Sequence, residues 1–202
     1  MSAETAVLVL GRDAAELVGF VNRSPEAAMD AAITLLSNPG KRLGGYAAVA
    51  NAFLDRSQNF PVAAIVHADT AFGPGAIAAL AAAARSESQL TGIVGRSMDP
   101  VRPYVWGRDG GGEVSTLDSC AVFIPTALSL RFDGSTFDDF HCCVEDLCLQ
   151  AADRGIRSFV PTADADHIGA TDAASRPSWM ASYHRYRARL GRKWSHLTFA
   201  TT

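Results

Sequence analysis

Residues 62–75 read Val62-Ala63-Ala64-Ile65-Val66-His67-Ala68-Asp69-Thr70-Ala71-Phe72-Gly73-Pro74-Gly75, and their reading decides the fold class. The first five are apolar, the pattern of a buried strand. The run stops at the tip His67-Ala68-Asp69, and Pro74 then opens a helix over residues 75–85. Asp69 thus stands at the carboxyl end of a strand, where open α/β sheets place their ligand crevices. A carboxylate there is costly without a cationic neighbour, often a metal. Two other segments carry matching groups: residues 137–149 hold Glu145-Asp146, and residues 163–169 hold His167. Carboxylates and an imidazole together suit a divalent-metal and general-base site.

Working outward, residues 5–10 (TAVLVL) predict a first strand ending at Gly11, and residues 17–22 (LVGFVN) a second short one. Ser24-Pro25-Glu26 has the form of a helix start, with the helix running to about residue 37 and stopping at Asn38-Pro39-Gly40. Gly44-Gly45 marks a loop before a helix over 46–56. Residues 91–95 form a short strand, and the Pro- and Gly-rich residues 97–112, which include Trp106, an irregular excursion. A strand follows over 120–124, then a loop over 132–141 carrying Asp133, Asp138 and Asp139. A helix over 144–154 stops at Gly155, a strand covers 156–160, and a final helix spans about 177–190. Strands alternating with helices predict an α/β sandwich with a mainly parallel sheet. One domain is expected over 1–202, with a nucleotide-binding half to about 95 and an acceptor half from about 96.

The bulk properties narrow the function classes. The chain has 202 residues, 48% hydrophobic and 19% charged, as in an ordinary globular protein. A net charge of −3 leaves no broad footprint for nucleic acid. Arg176, Arg185, Arg187, Arg189, Arg192 and Lys193 make the last third locally basic. That stripe reads either as a solvated helix face or as a contact for phosphates or an anionic membrane surface. Cys120, Cys142, Cys143 and Cys148 lie in or near apolar runs without zinc-type spacing, which predicts buried free thiols and a reducing cytoplasm. No signal peptide and no bilayer-length apolar stretch is read.

Each chemical candidate has a plain alternative. Asp69 either binds a hard cation bridged to phosphates or caps a turn. Glu145-Asp146 supplies a general base or simply complements a helix dipole. His167 is a metal ligand or a loop histidine. His141 beside Cys142-Cys143 suggests a thiol–imidazole nucleophile only weakly, since buried thiols are inert.

Taken in order, the motifs resemble those of family-2 glycosyltransferases of the GT-A type. Residues 46–54 (YAAVANAFL) resemble the family's helix before the metal strand, and residues 62–80 its strand, DxD-like motif and next helix. Leu117-Asp118-Ser119-Cys120 resembles the xDG segment behind the donor sugar. Residues 132–149 resemble the FDE…ED stretch, Asp166-His167 the late histidine, and Arg192-Lys193-Trp194 the KW ending. The likeness covers about residues 46–194.

The resemblance implies a GT-A, Rossmann-like three-layer sandwich. It also implies inverting transfer of a sugar from a nucleotide-diphosphate donor to a glycan or lipid-linked acceptor. Asp69 and His167 would hold Mn²⁺ or Mg²⁺. Asp146 would be the base, with Glu145 its neighbour. Asn51, His67, Asp118, Ser119, Trp106, Arg192 and Lys193 would contact donor or acceptor. Such an enzyme would build a bacterial-type surface or secreted glycan from the cytoplasm, with peripheral contact at the inner membrane face. Three departures stand out: His67 replaces the first acid of the metal motif, Ser119 replaces a glycine, and the second strand with its base-holding acid turn is not found. These support a second reading, a degenerate GT-A-like module that binds nucleotide or glycan without turnover. A nucleotidyltransferase ranks last, because Gly11-Arg12-Asp13 is too sparse for a phosphate loop.

Overall fold

The computed structural model of the chain describes residues 4–39, 42–138, 141–168 and 177–200. Gly40, Asp139, Gly169 and Arg176, which figure in the sequence reading, lie outside them. Strand β1 (Thr5–Gly11) leads to helix α1 (Ala14–Arg23), a short helix α2 (Ala27–Asp30) and strand β2 (Ala32–Ser37). Helix α3 (Tyr46–Arg56) precedes β3 (Val62–His67) and β4 (Thr70–Phe72), and α4 (Ala76–Glu87) follows. Five short strands then come in sequence: β5 (Leu90–Gly92), β6 (Val94–Arg96), β7 (Tyr104–Trp106), β8 (Gly112–Val114) and β9 (Thr116–Leu117). The remainder is β10 (Ala121–Pro125), α5 (Cys143–Ala152), β11 (Ser158–Val160), β12 (Ala165–His167) and α6 (Pro177–Lys193).

Seven strands form the central sheet in the order β2-β1-β3-β10-β5-β11-β8. β1 is parallel to β2 and β3, β5 is parallel to β11, and β10 and β8 run against their neighbours. The sheet is therefore mostly parallel, as the strand–helix alternation predicts. In β3, Ala63 and Ile65 join one buried cluster while Val62, Ala64 and Val66 join the other. That alternation is the period of two of a strand, and it gives β3 apolar partners on both faces. On one face lie Phe20 of α1 and Ile77, Leu80 and Ala84 of α4. On the other lie Val49 and Leu54 of α3, Val144 and Leu147 of α5, and Tyr186 and Leu190 of α6. The result is a three-layer sandwich.

Two sequence expectations are corrected near the start. Residues 17–22 are helical, within α1, rather than a strand. Leu17 packs on the core and Phe20 is buried, whereas Val18 and Val21 are exposed, a spacing of three that suits a helix. Asp13 caps the helix by accepting from the Glu16 amide at 3.0 Å. The long helix expected from Ser24 is only α2, and residues 32–37 form β2, the second parallel strand that the sequence reading did not find. Ser24 does not cap a helix; its hydroxyl accepts from the Phe72 amide at 2.9 Å and ties this turn to β4. β2 is a half-exposed edge strand, so its apolar residues lack the continuous run that marks β3.

The middle of the chain is also more ordered than expected. The strand expected over 91–95 is split between β5 and β6, which belong to different sheets. Inside the expected irregular excursion, β7 pairs with β6, matching Val105 to Gly95. A separate two-stranded sheet pairs β12 with β4 and sets His167 opposite Thr70. Gly45 sits where α3 approaches the loop that precedes α5 so closely that a Cβ would stand 2.2 Å from the Asp138 carbonyl oxygen.

Candidate active site

β3 ends at His67, and four hydrogen bonds fasten the backbone of the turn that follows. The Ala68 amide donates to the Leu10 carbonyl at 2.8 Å, and the Arg23 guanidinium donates to the Ala68 carbonyl at 2.6 Å. Thr70 Oγ1 donates to the His67 carbonyl at 2.8 Å. The Ile168 amide donates to the Asp69 carbonyl at 2.9 Å, which brings β12 alongside the turn. His167 Nε2 consequently stands 3.4 Å from Asp69 Oδ2. Asp69 Oδ1 is buried without a hydrogen-bond partner among the described residues.

The β9–β10 loop supplies the other wall. The Asp118 amide donates to the Val94 carbonyl at 3.0 Å, and Asp118 Oδ1 accepts from the Cys120 amide at 2.8 Å. The Cys120 carbonyl accepts from the His67 amide at 2.8 Å, locking this loop to the end of β3. Asp118, Cys120 and His167 each present a ligand atom within 4.8 Å of the other two.

Electrostatics follow from this packing. Burial opposes charge on Asp69, but the His167 hydrogen bond and the His67 and His167 charges outweigh it and hold its carboxyl below the usual range. His167 is raised in turn: burial opposes its charge, and Asp69, Asp118 and Asp166 overcome it. His67 is lowered, chiefly by burial, despite the opposing pull of Asp69. Burial and the neighbouring Asp118 push the Cys120 thiol well up.

Tyr46 connects this crevice to α5. Its ring meets His67 edge-on at 5.7 Å and Phe132 at 5.5 Å. Its hydroxyl is buried with no hydrogen-bond partner among the described residues. Burial, with the charges of Cys143, Cys120, Asp118 and Glu145, raises its pKa well above the usual value.

Glu145 and Asp146 occupy the first turn of α5, and both are buried. Asp146 is fully enclosed. Its Oδ1 accepts from Trp194 Nε1 at 2.7 Å and pairs with Lys193 Nζ at 2.8 Å, and its Oδ2 accepts from Gln150 Nε2 at 2.8 Å. Lys193 also meets Asp133 Oδ2 at 2.8 Å. The Lys193 hydrogen bond, with those from Ser135 and Thr136, overcomes burial and holds the Asp133 carboxyl far below the usual range.

The sequence-selected residues thus fall into groups. His67, Asp69, His167, Asp118 and the adjacent Ser119 converge at the carboxyl edge of β3. Asp146 and Lys193 meet at a second centre under α6. Asn51 clasps the Phe132 backbone, donating to its carbonyl at 2.9 Å and accepting from its amide at 3.0 Å. Trp106 lies under Arg108, which pairs with Asp166 at 2.8 Å, one residue from His167. Arg192 is exposed near the end of α6. Sequence reasoning did not select Tyr46 or Cys120 as site residues; the Asp118-x-Cys120 spacing ahead of a buried strand is the one local signal that marks the thiol. Arg12, just past β1, is a third such group: paired mainly with Glu16, it also feels the Asp69 charge.

The donor set fits a divalent cation. It offers two carboxylates and an imidazole on one edge, and one carboxylate oxygen is buried without a hydrogen bond among the described residues.

No family model matches the sequence, and no curated protein matches it. Among solved structures, the chain is similar to A197 from STIV at 14% identity and a TM-score of 0.51, covering 83% of this chain and 85% of that one. It is similar to S. aureus TarS 1-349 in complex with UDP-GlcNAc at 12% identity and a TM-score of 0.53, covering 96% of this chain and 66% of that one. A second structure of S. aureus TarS 1-349 gives 12% identity and a TM-score of 0.50, covering 80% and 58%. The chain accordingly spans 58% to 66% of the length of the TarS chains. These likenesses show the fold, the GT-A α/β sandwich.

Proposed function

We propose that the chain is a glycosyltransferase that moves a sugar from a nucleotide-diphosphate donor to a glycan or lipid-linked acceptor, with inversion. The observation that carries this reading is the Asp69–His167 pair at the carboxyl edge of β3 in a GT-A fold, with Asp69 Oδ1 buried and without a hydrogen bond among the described residues. Asp69 and His167, with Asp118 beside them, would hold a divalent cation, Mn²⁺ or Mg²⁺ on the sequence reading. A cation there supplies positive charge for the departing diphosphate. TarS is described in complex with UDP-GlcNAc, which makes UDP-sugars the first donors to test.

The remaining chemistry falls to the chain's own groups. Asp118 and Ser119 border the donor sugar, and Trp106 the acceptor side. The acceptor hydroxyl gives its proton to the Glu145-Asp146 pair as its oxygen attacks the anomeric carbon and the diphosphate leaves with the bonding electrons. Trp194, Lys193 and Gln150 hold both Asp146 oxygens and fix the orientation of that carboxylate. Asp146 and Lys193 then position the first turn of α5. Asn51 acts from behind, fixing the Phe132 backbone against which Tyr46 packs. Among the described residues no helix is long and apolar enough to cross a membrane. A lipid-linked acceptor would be met from the cytoplasmic side, at the exposed face of α6 with Arg185, Arg187 and Arg192.

The three donors on Asp146 also favour a second reading, a nucleotide- or glycan-binding module without turnover. Hydrolysis of UDP- and GDP-sugars, with and without Mn²⁺, separates the two. Metal-dependent release of nucleoside diphosphate that is lost in both Asp69→Ala and Glu145→Gln supports the transferase. Nucleotide binding with no release supports the module.

A further inference from the structure

Cys120 differs from the other three cysteines of the chain. Cys142, Cys143 and Cys148 pack in the layer of α3, α5 and α6, among apolar side chains. Cys120 lies on the opposite face, one residue before β10, with its thiol within 4.8 Å of ligand atoms of both Asp118 and His167. Tetrahedral ligands at usual zinc–sulfur, zinc–nitrogen and zinc–oxygen bond lengths stand about 3.3–3.7 Å apart, so a closing of about 1 Å brings the three together. Two further observations point to a guest in the same place. The Tyr46 hydroxyl, on a residue only 8% exposed whose ring meets His67 at 5.7 Å, carries no hydrogen bond among the described residues. Asp69 Oδ1 is likewise buried and without a hydrogen bond among the described residues.

We propose that Asp118, Cys120 and His167 form a thiolate-containing metal centre that takes a borderline-soft divalent ion of the Zn²⁺ class in preference to Mg²⁺. Magnesium demands six oxygen-type ligands, whereas a thiolate with an imidazole and one carboxylate selects zinc-like ions. On binding, the Cys120 S–H bond breaks, its proton leaves to solvent and a sulfur–metal bond forms. Three protein ligands leave one position open towards the crevice, as in catalytic rather than structural zinc sites. The identity of the ion stands on the ligand set alone; the assignment of a diphosphate oxygen to the fourth position rests on the transferase reading.

The test uses the full chain, stripped with chelator and without nucleotide, titrated with Co²⁺ and followed by its near-ultraviolet sulfur-to-cobalt absorption. A band should appear at about one equivalent, be bleached by Zn²⁺ and resist a hundredfold excess of Mg²⁺. It should vanish in Cys120→Ser and persist in Cys142→Ser, with unchanged circular dichroism. His167→Gln, as a second variant should Cys120→Ser fail to fold, should weaken Co²⁺ binding at least tenfold. Absence of the band in the wild type, its survival in Cys120→Ser, or its loss to Mg²⁺ overturns the proposal. A band with no UDP-sugar binding by the loaded protein retains the metal centre and removes the transferase reading instead.

Discussion

His167 Nε2 lies 3.4 Å from Asp69 Oδ2, and that contact exists because β12 pairs with β4 immediately beyond the end of β3. Each partner favours the other's charged form: Asp69 is lowered and His167 is raised against the cost of burial. The contribution of Asp69 to stability is present above about pH 4 and fades as pH falls through its depressed value. The contribution of His167 is present below about pH 6.5 and fades as pH rises through its elevated value. The pair is therefore strongest in the mildly acidic window between them.

Asp69→Asn removes the charge that sustains the imidazolium. In metal-free protein the His167 pKa, followed by proton NMR of the ring, should drop below its wild-type value. An unchanged titration would mean that Asp118 and Asp166 alone hold His167.

Lys193 joins exposed chemistry to the buried interior. Lys193→Met leaves Asp146 enclosed and short of a cation, and costs on the order of 2–3 kcal/mol, less than a fully buried pair because the lysine is part-exposed. Trp194→Phe removes only the neutral donor to the same oxygen and costs about 1–3 kcal/mol. Urea unfolding checks both. The wild type should also lose stability as pH falls below about 4, where Asp133 takes up a proton in the unfolded chain before the folded one. Asp133→Asn should flatten that slope.

The thiols should be inert until the fold opens. Cys148 is pushed up to about 12 by burial, and Cys142 and Cys120 are raised by the same cause. Native protein at pH 8 should resist iodoacetamide at all three, and urea should expose them together. Fast alkylation of Cys148 in the native state would contradict its position in the core.

The parts of the fold that sequence reveals are those whose local pattern matches their environment. β3 is a continuous apolar run because it is covered on both faces, and α3, α4 and α5 have clear boundaries. β2 is hidden because an edge strand exposed at Thr34 and Leu35 loses that run. α1 is misread because Leu17, Val18, Phe20 and Val21 are β-prone in composition and helical only in spacing. At the site, Asp69 and His167 announce themselves by standing at strand ends, and Asp118 only by its likeness to the xDG segment. Cys120 and Tyr46 do not, since their meaning lies in neighbours from other strands. The burial of Asp146 beneath Lys193 and Trp194 is likewise tertiary: nothing in the first turn of α5 tells that the end of α6 will close over it.

The central claim, a crevice that takes a nucleotide diphosphate through a metal at Asp69 and His167, is tested most directly by thermal unfolding. The panel is UDP, GDP, CDP and dTDP, each with Mn²⁺, Mg²⁺, Zn²⁺ or no metal, on wild type and Asp69→Ala. At about a hundred times its dissociation constant a ligand adds about 2.7 kcal/mol, a shift of roughly 5–10 °C for a chain of this size. The account predicts such a shift for one nucleotide, dependent on metal and lost in Asp69→Ala. No shift with any nucleotide under any metal would contradict it.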